Sequence, residues 1–446
     1  MKENKKKVFI RSFGCQMNFR DSEFAQGVLL DAGFGKAESF EDADIILFNT
    51  CSVRKHAEDR VCANIWNLKK LKDKKPDILI GVMGCMAQAK REGIFEDMPL
   101  VDFTCGPDDE EGLPEIIKGV LKDRLNVASL NNIGATRKEL FPEHRNNALK
   151  AFVSISHGCD NFCSYCIVPY VRGRERSRLP KDILREIKNL ASRGFKEITL
   201  LGQNVNSYDG YGGRRDDFAR LLADINRIKG VFRVRFMTSH PKDATISLFK
   251  AMRDLEKVCG HIHLPAQSGS DRILKLMNRR YSAKEYLKKA ASYRRLVPGG
   301  SLTTDMIVGF PSESDADFQK TLNLMKEIEF DSAFVFRYSP RPFTKASKLI
   351  DDVPEEVKGA RNTLLLDAQN RISKKKNMSL CGTTQEVLLE SSKQGLVEGR
   401  TRSNKVVLAH GRDCSIGEFV RVRIDDATCS TLRGKVSCQF PKSYSL

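Results

Sequence analysis

The sequence has no long apolar run. After the basic residues 1–7, only Val8, Phe9 and Ile10 are apolar before Arg11, which is too short for the core of a signal peptide. Elsewhere no apolar stretch approaches the roughly 20 residues that a membrane-spanning helix needs. The sequence therefore predicts no membrane association, and we expect a cytoplasmic protein.

The cysteine content is not that of a disulfide-stabilised domain, which is typically a short chain with an even number of cysteines. There are 13 of them, spread over 446 residues, and this pattern is typical of a reducing compartment in which thiols bind metal. The four near the carboxyl end have no metal-ligand spacing, and no role is assigned to them: Cys381, Cys414, Cys429 and Cys438.

Acidic residues are outnumbered. The 75 Lys and Arg exceed the 57 Asp and Glu, so the formal net charge is +18. This basic excess predicts a polyanionic partner, most simply nucleic acid, although a solvated basic surface without a ligand is the alternative. The length predicts roughly two to four domains, each able to bury its own core.

Three cysteines stand close together after the apolar residues 151–155. Cys159, Cys163 and Cys166 have the spacing Cys-x3-Cys-x2-Cys, and no fourth cysteine follows for about 90 residues. Clustered thiolates select zinc or iron–sulfur, and a closed zinc site needs four ligands. On a four-iron cluster, three thiolates would leave one iron open. A zinc site completed by His157, or three buried thiols, is the alternative.

This spacing, with Tyr165 before the last cysteine, resembles the signature of radical S-adenosylmethionine (SAM) enzymes. The resemblance implies a 4Fe-4S cluster whose open iron binds SAM. An electron from that cluster would cleave SAM to a 5′-deoxyadenosyl radical.

The first hundred residues alternate short apolar runs with amphipathic stretches. The predicted strands are residues 8–13, 45–48, 78–83 and 101–103, and the predicted helices are residues 19–32, 55–72 and 87–95. Continuous apolar strands that alternate with helices predict a parallel sheet covered on both faces.

Three of these strands lead directly into a cysteine: Cys15, Cys51 and Cys85. Ligand sites in parallel sheets lie beyond the carboxyl ends of the strands, so we expect the three thiols to converge at one edge. Gly14 and Gly84 permit close backbone approach there. The sequence therefore predicts a second three-thiolate site.

Two further cysteines of this region are read as packing thiols. Cys105 also follows a strand and is the rival ligand, whereas Cys62 lies within a predicted helix. The polar residues 131–149 break the periodic pattern and predict a linker.

The alternation resumes over six units from residue 151 to about residue 338. The predicted strands are residues 151–156, 196–201, 232–238, 261–264, 301–308 and 332–338, and the predicted helices are residues 181–193, 216–228, 243–255, 271–279, 283–296 and 313–328. Six such units predict an incomplete TIM-like barrel, with its active-site residues in the loops that follow the strands.

Polar residues occupy those loops. The candidates for cofactor binding are Tyr165, Gly202, Gln203, Asn204, Ser239, Gln267 and Asp305. The loop at Gly202 resembles the place where radical SAM proteins hold the methionyl amino group. Asp305 interrupts an apolar strand, and either a ligand or a neighbouring side chain would satisfy it.

The carboxyl-terminal part changes character. A helical stretch, residues 354–378, precedes five short predicted strands, residues 387–390, 396–398, 406–409, 419–424 and 432–437, which predict a small barrel. The segment resembles a TRAM domain, which binds RNA. Its candidate RNA-binding residues lie at alternate positions: Arg400, Arg402, Arg421 and Arg423.

The whole chain resembles the radical SAM methylthiotransferase family, and its tRNA-modifying, MiaB-type branch in particular. The matching segments are residues 14–18 (GCQMN), 49–54 (NTCSVR), 84–88 (GCMAQ), 168–174 (VPYVRGR), 201–208 (LGQNVNSY) and 263–270 (HLPAQSGS). We therefore predict an α/β chain with a parallel-sheet methylthiotransferase domain (1–130), a linker (131–149), a partial (β/α)6 TIM-like radical SAM barrel (150–377) and an all-β TRAM barrel (378–446).

The resemblance implies methylthiolation of carbon 2 of N6-isopentenyladenosine at position 37 of tRNA. Two 4Fe-4S clusters and two molecules of SAM would take part, one SAM as methyl donor and one as radical source. The auxiliary cluster, on Cys15, Cys51 and Cys85, would supply the sulfur. Expected partners are the tRNA anticodon stem-loop, a reductant such as flavodoxin or ferredoxin, and iron–sulfur assembly proteins.

RNA readers favour single-stranded loops whose bases can stack on aromatic or arginine side chains. The candidates for contact with the anticodon loop follow the three-cysteine loop: Arg172, Arg174, Arg176 and Arg178. Charge on a solvated loop is the alternative reading of these arginines.

Three other functions remain open. The same chemistry could act on threonylcarbamoyl-adenosine in tRNA or on an aspartate of a ribosomal protein, although residues 14–18 and 49–54 favour the isopentenyl substrate. A non-catalytic iron–sulfur protein that binds RNA and senses redox state would explain the thiols and the charge. A radical enzyme of DNA repair is the third.

Overall fold

The computed structural model describes residues 5–52, 55–123, 125–130, 133, 145, 147–213, 216–411 and 414–439; for residues 55–57 and 438–439 it describes the backbone alone. Within these ranges, none of the helices has the length and apolar character needed to cross a membrane.

The first domain is a parallel sheet covered by helices on both faces. Its strands are β1 (Lys7–Ser12), β2 (Gly35–Lys36), β3 (Ile45–Asn49), β4 (Leu79–Met83), β5 (Phe103–Cys105) and β6 (Val127–Ser129). They pair in the order β2-β1-β3-β4-β5-β6. Side chains alternate between two cores: Ile46 and Phe48 pack on one face, and Ile45 and Leu47 on the other. The predicted parallel sheet is confirmed, with two additional short edge strands, β2 and β6.

In the part of this domain that the structure describes, six helices flank the sheet. They are α1 (Gln16–Asp31), α2 (Lys55–Asn67), α3 (Lys69–Lys74), α4 (Cys85–Lys90), α5 (Gly93–Asp97) and α6 (Leu113–Asp123). Two of the predicted helices are each divided into a pair, α2 with α3 and α4 with α5. Helix α6 was not predicted; Leu113, Ile117 and Val120 bury its apolar side against the sheet.

The central domain is an open barrel of six parallel strands. Two short strands, β8 (Ser156–His157) and β9 (Arg176–Ser177), pair with each other antiparallel. The six barrel strands are β7 (Lys150–Ser154), β10 (Glu197–Leu201), β11 (Arg233–Met237), β12 (His261–His263), β13 (Ser301–Val308) and β14 (Ser332–Arg337). Two three-stranded parallel sheets, β11-β10-β7 and β12-β13-β14, meet where Val234 bridges Val258 just before β12. Among these fully described strands, β14 does not pair with β7. The predicted partial barrel is confirmed.

Helices alternate with the barrel strands as predicted. They are α7 (Val168–Val171), α8 (Pro180–Ser192), α9 (Asp217–Asn226), α10 (Ile246–Asp254), α11 (Asp271–Leu276), α12 (Ala283–Leu296), α13 (Asp315–Ile328) and α14 (Glu355–Met378). The last helix belongs to the barrel wall, since Arg361 donates to Glu313 at 2.9 Å and Gln369 donates to the carbonyl of Phe330 at 2.8 Å.

The third domain is a closed five-stranded barrel, as predicted. Its strands are β15 (Thr384–Lys393), β16 (Leu396–Thr401), β17 (Val406–His410), β18 (Phe419–Ala427) and β19 (Thr431–Gln439), and they close in the order β15-β16-β17-β19-β18. It docks on the amino end of the central barrel, because Arg233, the first residue of β11, donates to the carbonyl of Arg400 at 2.6 Å and to Glu386 at 2.8 Å. The domain boundaries at residues 130, 149 and 377 stay predictions.

Candidate functional site

The three cysteine loops of the first domain meet at the carboxyl edge of its sheet. A Cβ atom added to Gly14 would lie 2.4 Å from the Cβ of Cys51, and one added to Gly84 would lie 2.5 Å from Oδ1 of Asn49. Both glycines have positive φ, 114° and 88°, which other residues rarely adopt. The expected convergence of these loops is confirmed, whereas binding of a cluster by their thiols stays a prediction.

Two buried asparagines hold these loops together. Asn18 Nδ2 donates to Oδ1 of Asn49 at 3.0 Å, and Asn49 Nδ2 donates back to the carbonyl of Asn18 at 2.8 Å. The thiol of Cys15 lies 3.1 Å from Oδ1 of Asn18. Neither asparagine was among the residues predicted to form the site. The spacing in the sequence could have indicated the role of Asn18. It lies three residues after Cys15, the N-cap of α1, and forms a capping box with it.

The thiols of this first triad differ in their surroundings. A hydrogen bond with Cys51 lowers the pKa of the Cys15 thiol to about 6, and the nearby charge of Arg172 acts in the same direction. Burial raises the pKa of Cys85, although Arg172 opposes that shift. Thiolates are the metal-binding form, so an accessible, acidic Cys15 beside buried thiols suits a metal cluster.

The second triad lies in a loop that a small hairpin frames. Strands β8 and β9 pair antiparallel on either side of it. Gly158 precedes Cys159 at φ 78°, and a Cβ there would lie 2.0 Å from the carbonyl of Arg174. Cys159 and Cys163 are buried. The loop therefore follows the first barrel strand, where the sequence placed it.

Hydrogen-bond donors surround these thiols. Arg279 Nη1 lies 3.3 Å from the sulfur of Cys163, and Asn161 Nδ2 lies 3.4 Å from that of Cys159. Burial raises the pKa of Cys159 to about 11 and also raises that of Cys166. A metal deprotonates its thiol ligands outright, so the donor set fits a cluster that brings its own charge. Arg279 was missed because it lies 113 residues beyond Cys166 in the chain.

The zinc alternative does not fit the position of His157. Its Nε2 is 2.9 Å from Oγ of Ser154, and both residues are buried. Among the residues described, no three His, Cys, Asp or Glu side chains are grouped closely enough to share one metal ion. A four-iron cluster instead places each thiolate on a different iron.

Polar atoms without hydrogen-bond partners line the loops after the other barrel strands. Five of the predicted cofactor-binding residues carry such a buried atom, the last of them within strand β13: Gln203 Oε1, Asn204 Oδ1, Ser239 Oγ, Gln267 Oε1 and Asp305 Oδ1. A buried polar atom without a partner costs about 1–3 kcal/mol, so these atoms fit a polar ligand such as SAM. Contact of these residues with SAM stays a prediction.

The surroundings of three predicted cofactor contacts differ: those of Gly202, Asp305 and Tyr165. Gly202 approaches β8 closely, since a Cβ there would lie 2.5 Å from Oγ of Ser156. Asp305 lies on the barrel face opposite the helix-packed Met306, and its carboxylate is 3.4 Å from Nε2 of His263. Tyr165 packs against an apolar cluster that includes Phe310.

An arginine that follows the second triad in the chain reaches a thiol of the first. Arg172 Nε lies 3.1 Å from the sulfur of Cys85, and its Nη2 donates to Asp21 at 2.7 Å. Ile167 and Val171, which follow Cys166, form a buried cluster with Cys85 and Ala89 of α4. The segment after the second triad therefore packs against Cys85 of the first across the domain boundary.

Burial corrects the expectation that Arg172 and Arg178 contact RNA. Arg172 is 4% exposed, and Arg178, 8% exposed, donates to Glu186 at 2.8 Å. Neither guanidinium presents a surface to a phosphate. Arg176 is partly buried and donates to Asp108 at 3.1 Å, whereas Arg174 is largely exposed and stays a candidate.

The arginines of the third domain divide in the same way. Arg402 donates to the carbonyl of Val258 at 3.1 Å, so its guanidinium lies in the docking interface, and this placement corrects its expected role in RNA binding. Arg400 contributes its backbone carbonyl to that interface, but its side chain is 37% exposed and stays a candidate. Arg421 and Arg423 lie on an exposed face of β18 and stay candidates.

Three family models match the chain. Residues 7–106 match an uncharacterized protein family, UPF0004, residues 153–325 match the radical SAM superfamily, and residues 379–437 match the TRAM domain. A tRNA-2-methylthio-N(6)-dimethylallyladenosine synthase of Clostridium botulinum (strain Langeland) is 48% identical over 96% of this chain and 96% of its own length. The chain belongs to this synthase family.

Other members of the synthase family are similarly close. The enzyme of Caldicellulosiruptor saccharolyticus is 46% identical over 98% of this chain and 93% of its own, and that of Acetivibrio thermocellus is 44% identical over 98% and 92%. Among solved structures, the radical SAM methyltransferase TsrM of Kitasatospora setae matches with a TM-score of 0.56 at 10% identity, over 87% of this chain and 79% of its own. That likeness supports the fold.

Proposed function

We infer that this protein methylthiolates carbon 2 of N6-isopentenyladenosine at position 37 of tRNA. The observation that carries the proposal is the contact across the domain boundary between Arg172, six residues after Cys166, and Cys85 of the other triad. A synthase of this family needs a sulfur source beside the radical source, and the contact supplies that proximity. The chain's identity of 44–48% with synthases of known name extends over nearly its whole length.

The two triads would each hold a 4Fe-4S cluster. Cys159, Cys163 and Cys166 would bind the cluster that engages SAM, and the auxiliary cluster would use Cys15, Cys51 and Cys85. When bound, these groups and SAM supply the electron, the methyl group, the hydrogen-abstracting radical and the sulfur. The chain's own part is to orient them, because activation of an aromatic C–H bond is beyond ordinary acid–base catalysis.

Several barrel residues would bind and orient SAM. The unpartnered oxygens of Gln203, Asn204, Ser239 and Gln267 would accept from its ammonium and ribose groups. Asp305, next to His263, would complete the polar lining. Burial of these groups excludes water, which strengthens each polar contact.

The tRNA would be held by exposed basic residues. Arg174 lies beside the SAM-cluster loop, and Arg421 and Arg423 lie on the third domain. We place the enzyme in the cytoplasm, where thiols stay reduced. A reductant such as flavodoxin or ferredoxin and iron–sulfur assembly proteins would complete the system.

Nucleoside analysis of tRNA tests this proposal. In cells that lack the protein, we expect the 2-methylthio derivative of isopentenyladenosine to disappear and isopentenyladenosine to accumulate. Restoring the intact gene should reverse both changes. Loss of the methylthio derivative of threonylcarbamoyl-adenosine instead would overturn the substrate assignment.

A further inference from the structure

Each cysteine triad has one buried arginine directed at one of its sulfurs. Arg172 Nε is 3.1 Å from Cys85 Sγ, and Arg279 Nη1 is 3.3 Å from Cys163 Sγ. Both arginines are 4% exposed. A guanidinium keeps its charge in proteins, so each contact brings a fixed positive charge and an N–H donor to a predicted cluster ligand.

The two arginines differ in how they reach their triads. Arg279 belongs to the same domain as Cys163, and its other donors go to the carbonyl of Pro265 and the hydroxyl of Tyr281, each at 2.8 Å. Arg172 instead belongs to the central domain and touches a thiol of the first domain. It ends α7, six residues after Cys166.

Asp21 fixes the position of Arg172. Its fully buried carboxylate accepts from Arg172 Nη2 at 2.7 Å and lies 3.5 Å from Arg20 Nη1. The carboxylate therefore holds the guanidinium against Cys85 and offsets part of its charge. Arg172 and Asp21 are both buried, and Cys85 packs in an apolar cluster with Ile167 and Val171, so the charges act with little screening.

We propose that Arg172 is a positioning residue that raises the reduction potential of the auxiliary cluster. Adding an electron makes a cluster more negative, and a buried cation with an N–H···S bond to a ligand sulfur stabilises that form. Asp21 acts in the opposite sense, because its negative charge offsets the cation. The central domain thus tunes the cluster that the first domain binds, and this inference rests on the proposed function for the identity of that cluster.

The test uses the full chain with Cys159, Cys163 and Cys166 all replaced by alanine, so that only the auxiliary triad can bind iron. In this parent we compare Arg172→Gln with Asp21→Asn, which keeps an acceptor for Arg172 but removes the charge. Arg185→Gln is the control, because Arg185 is an exposed arginine of the same domain. Each protein is reconstituted anaerobically, its iron and sulfide are measured, and its midpoint potential is determined by a redox titration followed by electron paramagnetic resonance.

We expect the midpoint potential to shift negative in Arg172→Gln, to shift positive in Asp21→Asn, and to match the parent in Arg185→Gln. If the two residues had a merely structural role, their variants would bind less iron, but the midpoint potentials would not shift in opposite directions. Equal midpoints in the parent and in Arg172→Gln overturn the inference. If Arg172→Gln binds no cluster, Asp21→Asn decides: a positive shift supports the inference, and no shift or a negative one overturns it.

The parent protein separates this inference from the proposed function. A parent that binds no 4Fe-4S cluster contradicts the auxiliary site itself, and with it both proposals. A parent with a full cluster whose potential is indifferent to Arg172 contradicts the tuning role alone.

Discussion

Arg172 Nε lies 3.1 Å from Cys85 Sγ, although the two residues belong to different domains. The contact brings the loop after Cys166 against the helix that begins at Cys85. Both triads follow the carboxyl ends of parallel strands, the edge where such folds bind their ligands. The third domain docks at the opposite, amino end of the central barrel, where it leaves this edge open to substrate.

Replacement of Cys163 by alanine should abolish SAM cleavage. The substitution removes one of three thiolates from the loop that would bind the SAM cluster. Anaerobic incubation with dithionite and SAM, followed by chromatography, should show no 5′-deoxyadenosine. Cys259→Ala is the matched control, because Cys259 is a buried thiol of the same domain outside the triad, and it should retain cleavage. A wild-type protein that forms no 5′-deoxyadenosine would instead indicate the redox-sensor alternative.

Replacement of Cys51 by alanine should separate cleavage from sulfur insertion. Some 5′-deoxyadenosine should still form, because the SAM-cluster loop is intact, but no methylthio product should appear. Cys105→Ala is the control: Cys105 also ends a strand of this sheet, and its thiol contacts the carbonyl of Gly106 at 3.5 Å. Methylthio product from a fully reconstituted Cys51→Ala protein would count against the role of its cluster as sulfur source.

Replacement of Gly14 by alanine should destabilise the first domain and prevent binding of the auxiliary cluster. The new Cβ would lie 2.4 Å from the Cβ of Cys51, at a φ of 114°. We expect destabilisation of about 1–3 kcal/mol from backbone strain alone, and loss of roughly half of the bound iron, since one of two four-iron clusters would be lost. Iron analysis and thermal unfolding measure both effects.

Gly27→Ala controls for this prediction within the same domain. Gly27 lies in α1, and a Cβ there would meet no atom within 4 Å. Alanine is a better helix former than glycine by about 0.5–1 kcal/mol, so the control should be slightly more stable and keep all its iron. Full iron content in Gly14→Ala would contradict the prediction, because it would show that the cluster still binds when the loops at Gly14 and Cys51 are forced apart.

Replacement of Arg421 and Arg423 by glutamine should weaken tRNA binding in a salt-dependent way. Each phosphate contact contributes about 0.7–0.9 to the slope of log affinity against log salt, so the double variant should lose about 1.5 units of slope. Filter binding across a salt series measures this. Arg227→Gln is the control, since Arg227 is an exposed arginine on the central domain. An unchanged slope in the double variant would remove β18 from the RNA-binding surface.

The strands and helices were largely predictable because their signal is local. Apolar runs such as residues 45–48 and 78–83 show the pattern of buried parallel strands. The edge strands β2 and β6 were missed because segments of two and three residues are too short to show a periodic pattern. The convergence of Cys15, Cys51 and Cys85 followed from topology, since each ends a strand of one sheet.

The arginines were misassigned because their partners are distant in the chain. Arg172 and Asp21 are 151 residues apart, and Arg402 and Val258 are 144 apart. A basic loop has the same sequence whether its guanidinium groups meet phosphates or buried carboxylates. Arg174 and Arg178 illustrate this, since they lie four residues apart but only Arg178 pairs with an interior glutamate.

Glu175 should make stability depend on pH. Burial raises the pKa of its carboxyl group to about 7, from an ordinary value of 4.5, despite a hydrogen bond from Ser207. Between these pH values the folded protein binds more protons at this site than the unfolded chain does. The free energy of unfolding therefore falls as pH rises from about 4.5 to about 7. The fall is on the order of 2 kcal/mol, because solvent screening of this partly exposed group reduces the effect of the pKa shift.

Glu175→Gln should remove that dependence. A neutral amide at this position has nothing to ionise, so the variant should unfold at the same temperature as the wild type at pH 5 and at a higher temperature at pH 8. Glu115→Gln, at an exposed position, should show no such change between the two pH values. Calorimetry of the reconstituted full chain makes the comparison, and an equal difference in Tm at both pH values would contradict the buried, protonated state of Glu175.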